Sequence, residues 1–150
     1  MAEGLLRHYM NRAGLAEQVI VHSAGTFATP DKPAIAVTVE AMAQRGIDIS
    51  GHRTRQITPD LLRRAALILV MDEEHRRHIF YQGPACLTRT FLLSELSGIH
   101  DYIYDPFGLD VNAYAETRDL IETYIRSGWR ALMKRLKLFP EGTDIPLPSA

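Results

Sequence analysis

Tyr104-Asp105-Pro106-Phe107-Gly108 is the sharpest local cluster in the sequence. Pro106 drives Asp105 toward extended backbone and Gly108 permits a turn. An aspartic acid held on such a loop can act as a general acid, although the same residues also make a plain Asp-Pro turn. Ser23-Ala24-Gly25-Thr26 can aim hydroxyls and backbone N–H groups at a site, or form an ordinary loop. Gly51-His52-Arg53-Thr54-Arg55-Gln56 offers two arginines and a histidine, suited to phosphate or to a solvated basic loop. Asp72, Glu73 and Glu74 suit a helix N-terminus, a capping reading preferred to the weakly supported one of Asp72 and His75 as metal ligands. Cys86 is the one cysteine. It reads first as an incidental or structural thiol, with Arg89 leaving a cation-activated nucleophile open.

These residues are carried by alternating elements. Leu5, Leu6, Tyr9 and Met10 give helical spacing over 2–11, and Gly14 suits its stop. Gln18 to His22 is β-branched and predicts a strand. Pro33 to Arg45 predicts a helix stopped by Gly46. Thr58-Pro59 reads as an N-cap followed by Pro in the first helical turn. Ala66 to Met71 is uniformly apolar and predicts a strand buried on both faces. A helix over 72–81, a strand over 90–93 and one long amphipathic helix over 112–138 follow. The alternation predicts an α/β fold, a parallel sheet flanked by helices.

The balance of 17 basic and 18 acidic residues, net charge -1, argues against a dedicated nucleic-acid binder and against a polybasic membrane anchor. A hydrophobic share of 46% over 150 residues suits one globular domain, and no apolar run reaches membrane-spanning length. One cysteine excludes an internal disulfide and a Cys-rich zinc site. With no export signal, a cytoplasmic location is expected. Phe139 to Ala150, with three prolines, is expected to be a loose tail after a domain over 1–138.

Six segments in register resemble the low-molecular-weight protein-tyrosine phosphatase family, including its protein-arginine phosphatase branch. They are Met1 to Leu6, Ser23 to Thr26, Arg45 to Arg53, Arg55 to Thr58, Leu67 to Asp72 and Asp105 to Gly108. The resemblance implies a four-stranded parallel sheet and dephosphorylation of a phosphoprotein in two steps, with no metal or organic cofactor. In that family a thiolate in a Cys-x-x-x-x-x-Arg-Ser loop attacks phosphorus. By the resemblance Asp105 is the general acid, Phe107 lines the substrate slot, and Ser23 and His52 support the phosphate loop. The Ser-Ala-Gly-Thr-Phe-Ala and Asp-Pro-Phe-Gly forms look like the arginine-phosphatase branch as well.

Relatives carry the phosphate loop directly before the Met-Ala-Glu segment, which here is Met1-Ala2-Glu3. No Cys-x-x-x-x-x-Arg occurs in these 150 residues, because position 92 is Leu. The expectation is therefore that the reading frame starts upstream, with a central strand and the nucleophile loop. A chain without them should be inactive, and losing one buried strand removes several kcal/mol at about 25 cal/mol per Å2. The alternatives are a non-catalytic pseudophosphatase that binds a partner and an arsenate reductase of the same fold. The disulfide-relay form of the latter needs more cysteines than Cys86.

Overall fold

The computed structural model describes residues 1–140 and 142–148. Two compact units emerge. Unit one comprises Met1–Gln56 and Asp105–Glu122 with Pro148; unit two comprises the described residues of Ile57–Tyr104 and Thr123–Leu147.

Unit one is built on helices α1 (Ala2–Arg12) and α2 (Ala36–Ala43). Leu5, Leu6, Tyr9 and Met10 form the buried stripe of α1, as their spacing requires. Helix α2 buries Ala41 and Met42. Gly4 lets the neighbouring chain approach: a Cβ there would fall 2.8 Å from Ile49 and 3.1 Å from Met42. Gly46, at φ +69°, turns the chain after α2 in the left-handed region that glycine enters cheaply.

The segment 18–22 is not a strand, contrary to its β-branched composition. No strand lies alongside it among the described residues, and an unpaired strand has no ladder to hold it. Its backbone finds side chains instead. Arg7 donates from Nε (3.1 Å) and Nη2 (2.9 Å) to the Val21 carbonyl.

Unit two contains α3 (Pro59–Arg64), β1 (Ile68–Val70), α4 (Glu73–Gln82), β2 (Thr90–Leu92) and α6 (Trp129–Arg135). Thr58 caps α3 by accepting from Leu61 N–H, and Pro59 occupies its first turn. Strands β1 and β2 pair in parallel, Ile68 with Thr90 and Val70 with Leu92. This is the parallel, helix-flanked sheet, with two strands among the described residues. Ile68 and Leu69 are only half-buried because β1 has β2 as its one paired neighbour there. Leu62, Val70, Ile79, Cys86 and Leu92 close one core cluster.

The expected single helix over 112–138 is two: α5 (Val111–Ser127), whose residues 111–122 count with unit one, and α6. Gly128 separates them, at φ -88° and ψ 2°. A Cβ at Gly128 would fall onto the Leu96 side chain and backbone, so the close approach of the 3-10 turn Ser94–Ser97 selects glycine there. Of the segment 139–150, positions 141, 149 and 150 lie outside the described residues. Within unit two, Ile145 is buried and Asp144 pairs with Arg130 at 2.5 Å.

Candidate active site

The first turn of α1 holds the polar hub of unit one. Glu3 receives the Ser23 N–H at 2.9 Å and the Ser23 hydroxyl on the same Oε2. His52 Nδ1 lies 3.7 Å from that oxygen, and Arg7 Nη2 lies 2.8 Å from Oε1, one helical turn on. An acidic side chain in a first helical turn is also favoured by the helix dipole.

Local structure delivers each partner. Ser23 is brought in by the segment that Arg7 holds at Val21. The loop after it is pinned by Gln56, which accepts from Ala28 N–H at 2.7 Å and donates to the Thr26 carbonyl at 2.8 Å. Gly25 donates to the Arg55 carbonyl at 2.9 Å. A Cβ on Gly25 would lie 2.9 Å from that of Ala28, so the loop is tight as well as pinned. His52 is set by its own N–H on the Ile49 carbonyl at 2.9 Å. With its proton committed to Glu3, the Ser23 oxygen keeps acceptor capacity, and His52 keeps Nε2 for a second partner. Such a carboxylate-held pair orients other groups; it does not itself attack a substrate.

Asp105 belongs to the same unit but to a second loop. Its Oδ1 accepts the Phe107 N–H at 3.0 Å, an Asx turn that fixes the carboxyl against its own backbone. Leu109 N–H then bonds the Pro106 carbonyl at 3.0 Å, and Gly108 takes φ +83°. Asp110 Oδ1 accepts from Ala113 N–H at 3.0 Å and starts α5. The carboxyl of Asp105 faces solvent, and Phe107 is 76% exposed. The buried Tyr114 phenol is pushed above its usual range, first by burial and then by the negative charge of Asp105.

Of the four residues singled out in the sequence, Ser23 and His52 thus meet on one carboxylate, while Asp105 and Phe107 share one turn. Among the described residues no hydrogen bond or ion pair joins the two groups. Glu3 was missed as the hub. Its signal, an acidic residue one turn before Arg7, reads equally as a helix-stabilising pair. Tyr114, close enough to sense Asp105, looks in sequence like one more apolar stripe position.

The other candidates resolve into structural roles. Cys86 is buried in the core of unit two, and Arg89 Nη2, 3.4 Å from its sulfur, also donates to the Leu62 carbonyl at 3.1 Å. A thiol so enclosed has no path to a substrate phosphorus. Asp72 caps α4 by accepting His75 N–H at 2.8 Å. Among the described residues no three His, Cys, Asp or Glu side chains could hold a metal ion, and no helix is long and apolar enough to cross a membrane.

Comparison with known proteins bears directly on these loops. The model of the low molecular weight phosphotyrosine protein phosphatase family matches residues 1–138. A protein-arginine-phosphatase of Bacillus subtilis is 36% identical over 138 residues, covering 91% of this chain and 87% of the relative. A probable low molecular weight protein-tyrosine-phosphatase of Ralstonia nicotianae is 38% identical over 122 residues, covering 81% and 79%. Among solved structures, the YwlE arginine phosphatase, in a Cys-to-Ser variant with a phosphorylated active-site serine, superposes with TM-score 0.83 at 35% identity, over 90% of this chain and 89% of that one. A low molecular weight protein tyrosine phosphatase from T. tengcongensis gives 0.81 at 29% identity, over 87% and 88%. The family match spans all six segments that suggested it, so the chain belongs to the low molecular weight phosphotyrosine protein phosphatase family.

Proposed function

We propose that this chain is the acid-bearing and loop-supporting part of a cytoplasmic phosphoprotein phosphatase, a phosphatase-like domain over 1–138 without the nucleophile loop, followed by a tail over 139–150. The observation that carries the reading is the meeting of Ser23 and His52 on Glu3. A hydroxyl and an imidazole fixed on one carboxylate supply the acceptor and donor that a tight phosphate-binding loop needs around its backbone.

The chemistry runs in two steps. A thiolate from a Cys-x-x-x-x-x-Arg-Ser loop upstream of Met1 attacks phosphorus, and the bond to the leaving oxygen breaks. Asp105, protonated, gives its proton to that oxygen. The carboxylate so formed takes a proton from water as the water attacks the phosphocysteine, which releases inorganic phosphate and the thiolate. The loop's backbone N–H groups and its arginine hold the three phosphate oxygens throughout. Phe107 is the apolar wall against which the substrate side chain lies. Its exposure and the Asx turn that ties it to Asp105 support that placement.

The similarity to a protein named protein-arginine-phosphatase and to a solved arginine phosphatase structure favours phosphoarginine as a second substrate class beside phosphotyrosine. The absence of Cys-x-x-x-x-x-Arg from the 150 residues favours a different alternative, a phosphatase-like binding protein without turnover. A redox relay through Cys86 is disfavoured by its burial.

Turnover of an aryl phosphate separates these readings. Protein that includes the upstream coding segment should turn over and accumulate an acid-stable phosphoenzyme on the loop cysteine. The 150-residue chain by itself should show neither. Turnover by the 150-residue chain, or turnover that survives loss of the loop cysteine, would overturn the mechanism.

A further inference from the structure

Six of the seven Lys and Arg residues of unit one, all but Arg12, fall into two groups. Arg7, Arg45 and Arg118 are each in ion pairs, with Glu3, with Asp119 and Glu122, and with Asp119. Lys32, Arg53 and Arg55 are all exposed, and among the described residues none has a carboxylate partner. The Arg53 guanidinium donates to the Ser50 and His52 carbonyls, at 3.2 and 2.7 Å, which anchors it without neutralising it.

These three residues share one backbone frame. Thr54 N–H donates to the Lys32 carbonyl at 2.8 Å, Lys32 N–H donates to Thr54 Oγ1 at 2.9 Å, and Pro33 bridges Arg53 in antiparallel sense. Arg53 and Arg55 stand two apart between that bridge and the one joining Gly25 to Gln56. The frame adjoins the Glu3 hub: Arg53 follows His52, and the Arg55 carbonyl holds Gly25, two residues after Ser23. Residues 23–35 and 50–56 contain one carboxylate, Asp31, against Lys32, Arg53 and Arg55, a local net charge of +2 in a chain of net charge -1.

We propose that this basic frame is a docking surface for phosphoprotein segments with Asp or Glu residues close to the phosphorylated side chain. Exposed guanidinium groups with free donors take carboxylates in a bidentate fashion, and a local positive field raises the encounter rate of an acidic segment. The inference rests on the phosphatase reading for its biological meaning, but the binding it describes needs neither phosphate nor turnover.

The test uses the 150-residue chain and two labelled peptides of equal length, one Glu-rich and one with every Glu replaced by Gln, read by fluorescence anisotropy. The Glu peptide should bind about tenfold tighter at low salt, the product of two or three exposed charge pairs. That margin should shrink as ionic strength rises from about 0.05 to about 0.3 M. The R53E/R55E variant should erase it, and R53Q/R55Q should weaken it, each with an unchanged thermal midpoint. Equal binding of the two peptides, or an advantage that survives in both variants, overturns the proposal. So does Arg53- and Arg55-dependent capture of duplex DNA or of phosphatidylserine vesicles with no preference for the Glu peptide. Failure of the phosphatase reading shows separately, as absence of aryl phosphate turnover in protein carrying the upstream segment.

Discussion

Two apolar triplets in the molecule take opposite paths. Ile68–Val70 pairs in parallel with Thr90–Leu92, and the strands feed a core in which Leu92 is fully buried. Val19-Ile20-Val21 is richer in β-branched residues, yet it runs as irregular chain with Ile20 78% exposed, its Val21 carbonyl taken by Arg7 and the N–H of Ser23, two residues on, by Glu3. A strand is a pairing, and β preference reports how well side chains suit a half-buried sheet already present. The second triplet also shows what α1 supplies. Its charged side chains satisfy backbone groups that would otherwise need a ladder partner, and in doing so they set Ser23 beside His52.

The contrast between a chemical region and a packed one can be broken most strongly at Asp105. In protein with the upstream segment, Asp105→Asn should lower kcat about 10²–10⁴-fold and leave the unfolding midpoint unchanged, since the carboxyl is exposed and its turn can form with an amide. Steady-state kinetics on an aryl phosphate, together with a melting curve, check both halves. In the packed region Leu92→Ala should cost about 3 kcal/mol by chemical denaturation, a cavity effect. Ile20→Ala should change stability by no more than about 0.5 kcal/mol. A loss at Ile20 matching that at Leu92 would mean that Val19-Ile20-Val21 is buried after all.

Glu3→Gln probes the hub itself and should cost about 1 kcal/mol, from charge-assisted hydrogen bonds in a partly exposed site. Chemical denaturation of the variant beside the parent protein reads that cost. The smallest expected effect is at Glu95. Burial acts to raise its pKa, but the Leu92 N–H and the Arg76 guanidinium outweigh that and hold it below the ordinary range. A depressed folded-state pKa contributes stability above the unfolded value of about 4.3 and loses it as pH falls through the folded one. Glu95→Gln should therefore flatten the acid limb of the stability profile and leave the neutral region nearly level.

Much of this was legible in the residues. The stripe Leu5, Leu6, Tyr9 and Met10, the Thr58-Pro59 cap, the Asp72 cap and the apolar runs before Val70 and Leu92 all carry their structure locally. What failed was non-local. The segment 18–22 needed a partner strand to become one. The break at Gly128 follows from the approach of Leu96, which no periodicity announces. The site was legible as separate pieces: the Asx turn at Asp105 follows from Asp-Pro-Phe-Gly, whereas the meeting of Ser23 and His52 on Glu3 joins three distant stretches. A first-turn glutamate carries no sequence mark of the loops it will hold.

The proposal at the centre of this account is that Ser23, His52 and Asp105 serve a cysteine-based phosphate loop. Rapid acid quench of the protein carrying the upstream segment, mixed with an aryl phosphate and analysed by intact mass and peptide mapping, tests it most directly. The account predicts a phosphate adduct on the cysteine of a Cys-x-x-x-x-x-Arg loop, forming before Asp105-dependent hydrolysis. Turnover without an adduct, or an adduct on Cys86, would contradict it.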